Sequence, residues 1–177
     1  MQKEIKITPI KNKQTIIIFE GHDKVGKTTI AEALSRQQQI PIFKLQRDKK
    51  WFDPYVVSKY GDEMLLQFLE QTKYSIILDR CFPSQYAYSK VHDRAFDEGL
   101  LFEYDKRYSN LNTFIIYCYK NKKAYLKDEI IDVSNYPKLT KQFNLFFKMS
   151  KCKILKVNTT NQNLVKQLDR INSFIYS

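Results

Sequence analysis

The feature that most constrains this chain is a loop with two glycines that directly follows a short apolar segment. The loop runs from Gly21 to Thr29 as GHDKVGKTT and satisfies the pattern G-x-x-x-x-G-K-[ST]. The β-branched run TIIIF at 15–19 precedes it and predicts a buried strand, and a helix is predicted at 28–37. Because the pattern lies between a strand and a helix, it predicts a phosphate-binding loop.

Each residue type in this loop has a physical task. Glycines let successive backbone N–H groups point at phosphate oxygens. Lys27 can supply a positive charge to the β- and γ-phosphates, and the Thr28 hydroxyl can ligate Mg²⁺. We therefore expect ATP and Mg²⁺ as cofactors. The residues predicted to contact the ATP phosphates are Gly21, Lys24, Val25, Gly26, Lys27, Thr28 and Thr29.

The rest of the chain alternates between short apolar runs and helical patterns. Further strands are predicted at 40–43, 74–78, 113–119 and 153–157. Helices are predicted at 63–71, from Ser84, and at 95–108, 136–149 and 164–175. This alternation predicts an α/β protein with a three-layer α/β/α fold and a five-stranded parallel sheet. We expect one domain over residues 14–177, after an N-terminal extension at 1–13.

Composition narrows the classes of protein and of site. The net charge of +11 suits nucleotide phosphates or a nucleic acid, but a lysine-rich solvated surface explains it equally well. Two histidines and three scattered cysteines argue against a metal site rich in histidine, a zinc site or disulfides. No apolar run reaches the roughly 20 residues of a membrane span, and the N-terminus has no signal-peptide core. We expect a cytoplasmic protein with no membrane partner.

The phosphate loop alone does not separate a kinase from other nucleotide-binding proteins. The chain has no NKxD-like motif to read guanine, as a GTPase would need. It also has no hhhhDE acid pair of the kind found in motor ATPases. Both observations favour a kinase.

Two segments together resemble the thymidylate kinase family. The segment FEGHDKVGKTT at 19–29 is similar to the family pattern FEG-x-D-x-x-GKTT, and ILDRCFPSQYAY at 77–88 is similar to hhDR-x-x-x-S-x-x-A-Y. Both follow predicted strands, in the expected order. The resemblance implies a P-loop kinase fold, a homodimer and a short lid around 120–136. It also implies transfer of a phosphoryl group from ATP to a deoxynucleoside monophosphate, dTMP or a related pyrimidine nucleotide.

The resemblance also assigns roles on the acceptor side. It implies that Asp23 binds the acceptor's 3′-hydroxyl, that Arg80 holds its phosphate, and that Ser84, Gln85 and Tyr88 face the base and the deoxyribose. A guanidinium at the carboxyl end of a parallel strand can indeed pair with two phosphate oxygens. It is equally open that Ser84 caps a helix and that Tyr88, like its neighbour Tyr86, packs in the core.

The residues predicted to act in catalysis are Lys27, Lys24, Arg80 and Asp79. Lys24 lies where the family usually has arginine and could neutralise charge on the transferring group. Asp79 could hold Mg²⁺ together with Thr28, or it could orient Arg80. Three lysines of the predicted lid could contribute as well, or could form a solvated helix face: Lys122, Lys123 and Lys127.

One stretch departs from the family and leaves the acceptor open. Where the family has an R-E-P-G-like segment, this chain has FKLQRDKKWF at 43–52. Arg47, Tyr55 and Lys59 are candidates to replace the missing acceptor contacts. The basic and aromatic residues at 47–52 keep nucleic acid open as an acceptor, through a 5′ end or a modified base of DNA. The sequence is also compatible with a deoxynucleoside acceptor and with a non-catalytic nucleotide-binding module.

Overall fold

The computed structural model of the chain describes residues 13–44, 57–125, 135–160 and 163–177. The strands are β1 (Ile16–Gly21), β2 (Ile42–Phe43), β3 (Ile76–Asp79), β4 (Thr113–Tyr119) and β5 (Lys153–Asn158). The helices are α1 (Lys27–Gln38), α2 (Glu63–Gln71), α3 (Phe82–Val91), α4 (Glu98–Ser109), α5 (Lys122–Tyr125), α6 (Tyr136–Met149) and α7 (Leu164–Tyr176). A π-helical segment, Val57–Asp62, leads directly into α2.

The five strands form one parallel sheet in the order β2-β3-β1-β4-β5. Ile16 of β1 pairs with Ile76 of β3 on one side and with Thr113 of β4 on the other. The carboxyl ends of all five strands therefore meet at one edge of the sheet. The strand order reverses on either side of β1, and open parallel sheets bind ligands beyond the carboxyl end of such a strand.

Helices cover both faces of the sheet, which explains why residues 16–19 of β1 are all apolar. Ile17 and Phe19 lie in one hydrophobic cluster with side chains of α1 and α7, including Ile30, Leu34 and Ile171. Ile16 and Ile18 lie in the opposite cluster with α3, α4 and α6, including Phe82, Tyr104, Tyr108 and Phe146. A polar side chain in such a strand needs buried partners, and in β1 only Glu20 is of this kind. The predicted α/β/α fold with a five-stranded parallel sheet is confirmed.

Two helices begin at residues other than the expected ones. Helix α3 begins at Phe82 rather than at Ser84, and Pro83 occupies its first turn, where the missing N–H costs nothing. Helix α4 begins at Glu98 rather than at 95, because the Asp97 carboxylate accepts the Leu100 N–H at 3.0 Å and caps the helix there.

Several expectations fall on residues that are not described. They are most of the N-terminal extension (1–12), the stretch 47–52, and the central part of the lid (126–134). In the described ranges, no helix is both long enough and apolar enough to cross a membrane.

Candidate active site

The phosphate loop lies between the end of β1 and the start of α1, and its two glycines have different reasons to be there. Gly21 has φ 134°, and a Cβ atom at this position would lie 2.1 Å from the Cys118 carbonyl oxygen of β4. Gly26 has φ 90°, and a Cβ atom there would meet no other atom within 4 Å, so only its backbone conformation requires glycine. In the described structure the first turn of α1 has no side-chain cap and no acidic residue. Its N–H groups can thus bind an anion.

Lys27 is the first residue of α1, and its ammonium group lies over the loop. The side chain is buried, and Nζ donates a hydrogen bond to the His22 carbonyl oxygen. Burial, together with the nearby charge of Arg80, lowers the pKa of Lys27 to about 8. A phosphate group in the loop would favour the protonated ammonium and would raise this pKa again.

The loop and the end of β3 bring two oxygen ligands together. The Thr28 hydroxyl donates to Asp79 Oδ2 at 2.9 Å, and Lys44 Nζ lies 3.4 Å from the same carboxylate oxygen. Hydroxyl and carboxylate oxygens are the ligands that Mg²⁺ prefers, and Mg²⁺ usually takes only one or two of them from the protein beside substrate phosphates. The described residues contain no group of three or more His, Cys, Asp or Glu that could hold a metal. The residues present fit Mg²⁺.

Four of the residues predicted for the acceptor side lie together around the Arg80 guanidinium. Nη2 donates to Asp23 Oδ1 at 2.6 Å, and Nη1 donates to Ser84 Oγ at 3.0 Å. The Tyr88 ring centre lies 5.1 Å from the guanidinium carbon, and its hydroxyl donates to Asp23 Oδ2 at 3.3 Å. Tyr88 therefore belongs to this cluster, whereas its neighbour Tyr86 packs in the core against Phe146.

The charges in this cluster balance one another. Burial opposes ionisation of Asp23, but the positive charges of Arg80 and Lys27 outweigh it and lower the pKa of Asp23. Burial raises the pKa of Tyr88 to about 12, so its hydroxyl stays protonated and can donate. Arg80 itself has φ 75°, in the left-handed region that favours glycine.

Gln85 contacts a different residue. Its Nε2 donates to Asp62 Oδ2 at 2.6 Å, and both side chains are buried where α3 meets the end of the π-helical segment. Its amide is thus held by Asp62. That Gln85 reads an acceptor base stays a prediction.

A cavity of about 320 Å³ opens on the other side of the phosphate loop. Its walls come from the loop, from Lys120 after β4, from Thr159 after β5, and from Leu164 and Gln167 of α7. Lys24, with φ 55°, and Thr29 line it as well. Since Arg80 follows β3 and this cavity adjoins the ends of β4 and β5, the cavity and the Arg80 cluster lie on opposite sides of β1.

Two buried residues of this region have roles that sequence reasoning did not assign. Glu20 is fully buried, and its Oε1 accepts the N–H groups of Cys81 at 2.9 Å and Ser84 at 3.2 Å, while Oε2 accepts the Ser84 hydroxyl. Burial raises the pKa of Glu20, and Arg80 opposes that shift. An acid at the end of the apolar run IIIF was the signal in the sequence, since buried acids need partners.

The second is His22, which links the loop to α6. Its Nε2 lies 2.9 Å from Thr140 Oγ1, and its ring stacks on Tyr136 with centroids 4.4 Å apart. Burial and the charge of Lys27 lower the pKa of His22 to about 4, so the imidazole is neutral at physiological pH. It therefore adds no positive charge to the phosphate loop.

The remaining candidate residues are exposed lysines of α5, or residues that are not described in whole or in their side chains. Arg47, Tyr55 and Lys127 are not described, and the side chain of Lys59 is not described either. Lys122 and Lys123 are exposed in the short helix α5.

Comparisons with known proteins show the fold. No protein-family model and no curated protein matches the chain. The YorR protein of Bacillus subtilis, solved with phosphorylated GDP, superposes with a TM-score of 0.69 at 19% identity, over 91% of this chain and 95% of that one. Thymidylate kinase from Candida albicans superposes with a TM-score of 0.58 at 20% identity, over 92% of this chain and 94% of that one. Deoxyadenosine kinase from M. mycoides, solved with the products dCMP and dCDP, superposes with a TM-score of 0.58 at 18% identity, over 91% of this chain and 98% of that one. The chain thus has the same α/β/α fold as these three proteins, and its TM-score to the thymidylate kinase is no higher than its TM-score to the deoxyadenosine kinase.

Proposed function

We propose that this chain is an ATP-dependent kinase that transfers the γ-phosphoryl group to a deoxynucleoside monophosphate, dTMP or a related pyrimidine nucleotide, and so forms the diphosphate. One observation carries the proposal. The adjacent residues Asp79 and Arg80 carry opposite charges and make different contacts. Asp79 accepts the Thr28 hydroxyl at 2.9 Å, and Arg80 donates to the Asp23 carboxylate at 2.6 Å. The end of β3 therefore joins a metal-binding pair to an anion-binding group.

On the donor side, the loop N–H groups and the Lys27 ammonium bind the ATP phosphates. Thr28 and Asp79 hold Mg²⁺, which when bound neutralises charge on the phosphoryl group. The cavity lined by Lys120 and Thr159 takes the nucleoside of ATP, since it adjoins the loop on the side away from Arg80. Lys24 lines the same cavity close to the phosphates and adds a further positive charge.

On the acceptor side, Arg80 pairs with the oxygens of the monophosphate. Asp23 would repel a phosphate, so it accepts a hydrogen bond from a sugar hydroxyl instead. Tyr88 packs beside the same position and leaves little room for a 2′-hydroxyl, which favours deoxynucleotides. Ser84 holds one edge of the guanidinium in place.

The chemistry fits a monophosphate acceptor because its nucleophile needs no general base. An oxygen of the acceptor phosphate forms a bond to the γ-phosphorus, the bond from that phosphorus to the β–γ bridging oxygen breaks, and ADP leaves. A hydroxyl acceptor would have to lose a proton. Among the described residues near Arg80, Asp23 has a lowered pKa and Glu20 is buried behind Ser84, so neither is a good base.

A deoxynucleoside acceptor is the second candidate, and the Arg80–Asp23 ion pair favours it. Because Asp23 already matches the guanidinium charge at 2.6 Å, a neutral hydroxyl would disturb the pair less than a phosphate dianion would. The equal TM-scores to a thymidylate kinase and a deoxyadenosine kinase are compatible with both acceptors. Transfer to DNA and a non-catalytic role have no supporting contact in the described residues.

An assay of ADP release distinguishes these acceptors. Purified protein with ATP and Mg²⁺ is tested on dTMP, dUMP, dCMP, dGMP and dAMP, on the matching deoxynucleosides, and on single-stranded DNA. We expect turnover on monophosphates, fastest with a pyrimidine. Turnover on nucleosides alone would establish the second candidate, and ATP binding with no transfer to any acceptor would contradict both.

Substitution of Arg80 tests the acceptor assignment itself. Arg80→Gln should raise the KM for the acceptor about tenfold or more, because a charged hydrogen bond to phosphate is lost, and should leave the KM for ATP within about twofold. Arg94→Gln, at an exposed arginine after α3, is the matched control and should change neither. Normal kinetics in Arg80→Gln would show that the acceptor binds elsewhere.

A further inference from the structure

A larger cavity lies at the opposite edge of the sheet from the phosphate loop. It has a volume of about 570 Å³, against about 320 Å³ for the cavity beside the loop. It opens where β1, β4 and β5 begin, so the length of the strands separates it from the site described above. The residues that give it its character are four lysines and two amides: Lys13, Lys73, Lys151, Lys153, Asn110 and Asn112.

One wall of this cavity is held by side-chain hydrogen bonds. The amide of Gln14 donates to the Thr72 carbonyl at 3.1 Å, which ties the residue after Lys13 to the residue before Lys73. Asn112, with φ 55°, donates in turn to the Gln14 carbonyl at 3.1 Å. Two of the four lysines are therefore carried on backbone that is fixed relative to the start of β4.

The other wall is held by a buried carboxylate. Asp105 accepts the Ser150 hydroxyl at 2.5 Å and the Lys151 N–H at 2.6 Å, and it is 1% exposed. Lys153 follows at the start of β5, and its ammonium lies 5.1 Å from the Phe114 ring centre. The backbone of both lysines is thus placed, and both residues line the cavity.

The positive charge of this cavity is not balanced by the described part of the chain. No carboxylate of a described residue lies within 4.0 Å of any of the four ammonium groups. Asp105 is the nearby acid, and its oxygens are already engaged by Ser150 and the Lys151 backbone. Four like charges around one concave space attract a multiply charged anion, because each charge added to the ligand meets several partners.

We propose that this cavity binds a compact polyphosphate anion: two or three linked phosphates, either inorganic or as the phosphate chain of a nucleotide. Its volume lies in the range of small-molecule pockets, roughly 300–1,000 Å³. Among the described residues, none of those that line it is aromatic, so nothing there stacks on a base and recognition rests on the phosphates. A concave site of this size suits a short anion better than an extended nucleic acid strand. This site is separate from the proposed phosphoryl transfer and does not depend on it.

The test uses the full chain carrying Lys27→Ala, so that binding at the phosphate loop is weakened. Calorimetric titration with sodium tripolyphosphate at low ionic strength should show one remaining site, whose affinity falls as salt is added. Adding Lys73→Gln and Lys151→Gln should weaken this binding at least about tenfold, since each substitution removes a charged hydrogen bond. The matched control adds Lys106→Gln and Lys148→Gln, at two exposed lysines outside the cavity. Its affinity for tripolyphosphate should stay within about twofold of that of the Lys27→Ala protein.

A second readout needs no substitution in the cavity. In the Lys27→Ala protein, tripolyphosphate should shift the backbone amide NMR signals of Asn110, Asn112 and Thr113. Parallel titrations with ATP and with single-stranded DNA identify the source: equal binding of ATP and tripolyphosphate means that the phosphate chain is the ligand, and tighter ATP binding at these signals means that a nucleotide is. The proposal is overturned if no signal at the cavity moves, if both double variants bind alike, or if DNA binds and tripolyphosphate does not.

Discussion

At the scale of single residues, the cluster around the Arg80 guanidinium depends on a carboxylate that no substrate would contact. Glu20 holds the N–H groups of Cys81 and Ser84 and the Ser84 hydroxyl, and Ser84 in turn accepts from Arg80. A buried carboxylate is tolerated only where donors and a positive charge compensate for lost water. In the proposed function, Glu20 is therefore a positioning residue that acts through Ser84 and Arg80.

Two substitutions separate its charge from its packing. Glu20→Gln keeps the shape but removes the charge and one acceptor, so the acceptor KM should rise about tenfold while the KM for ATP stays within about twofold. Glu20→Ala leaves buried donors without partners and should lower the free energy of unfolding by about 2–4 kcal/mol, measured by urea denaturation. Glu32→Gln, on the exposed face of α1, is the control. Unchanged acceptor kinetics in Glu20→Gln would contradict the positioning role.

Lys27 predicts a pH dependence of nucleotide binding. Its pKa is about 8 in the free protein and should rise when phosphate is bound, so ATP binding near pH 8 should take up a proton. Above that pH the affinity for ATP should fall, approaching about tenfold per pH unit. Calorimetry in two buffers with different ionisation enthalpies measures the uptake. It should vanish in Lys27→Met, and its absence in the unsubstituted protein would contradict the lowered pKa.

The same shift has the opposite sign for folding without ligand. The folded protein releases the Lys27 proton near pH 8, and the unfolded chain releases it near pH 10.5. The free energy of unfolding therefore increases as pH rises between these values. Binding of nucleotide and stability of the free protein are therefore favoured at different pH.

At the scale of elements, the contact between β1 and β4 leaves no room for a side chain at Gly21. Alanine at this position would place its Cβ 2.1 Å from the Cys118 carbonyl oxygen, in a backbone conformation with φ 134°. We expect Gly21→Ala to lose about 3 kcal/mol or more, or not to fold, because the clash is with backbone. Gly26→Ala is the matched variant: it has φ 90° but open space, and should lose about 1–2 kcal/mol. Equal losses in urea denaturation would show that β1 and β4 can separate locally.

The sequence predicted where the helices and strands lie in the chain better than it predicted which of them contact one another. Apolar runs identified all five strands, and they are clearest for β1, β3 and β4, whose residues are mostly buried. Burial does not say which strands pair, so the order β2-β3-β1-β4-β5 could not be predicted. The π-helical segment Val57–Asp62 has no periodic signal either. Motif spacing and resemblance brought Asp23, Arg80 and Tyr88 into one hypothesis. The role of Glu20 was missed because its partners are backbone N–H groups more than 60 residues away, which no side-chain pattern encodes.

At the scale of the whole molecule, the phosphate loop is attached to the strand that both hydrophobic clusters share. Ile17 and Phe19 belong to one cluster, and Ile16 and Ile18 to the other. Residues 14–177 are expected to form a single domain, so a ligand in the loop should stabilise both faces together.

Thermal unfolding tests this expectation. With a non-hydrolysable ATP analogue and Mg²⁺ at about a hundred times Kd, the stabilisation should be about 2.7 kcal/mol. For a chain of this length that is a rise in Tm of about 5–10 °C, in one transition seen alike by near- and far-UV circular dichroism. Lys27→Ala should show a much smaller rise. Two separate transitions, only one of which moves, would mean that the chain unfolds as more than one unit.

Two side chains of the proposed site are carried on backbone that favours glycine. Arg80 has φ 75° and Lys24 has φ 55°, and a residue with a Cβ atom loses about 1–2 kcal/mol in this region. Glycine at either position would relieve the strain and remove the charge. A library of variants screened only for heat tolerance should therefore drift toward glycine at 24 and 80, and one screened for turnover should retain the cations. In natural relatives, glycine at these two positions would indicate selection for stability, and a cationic residue would indicate selection for activity.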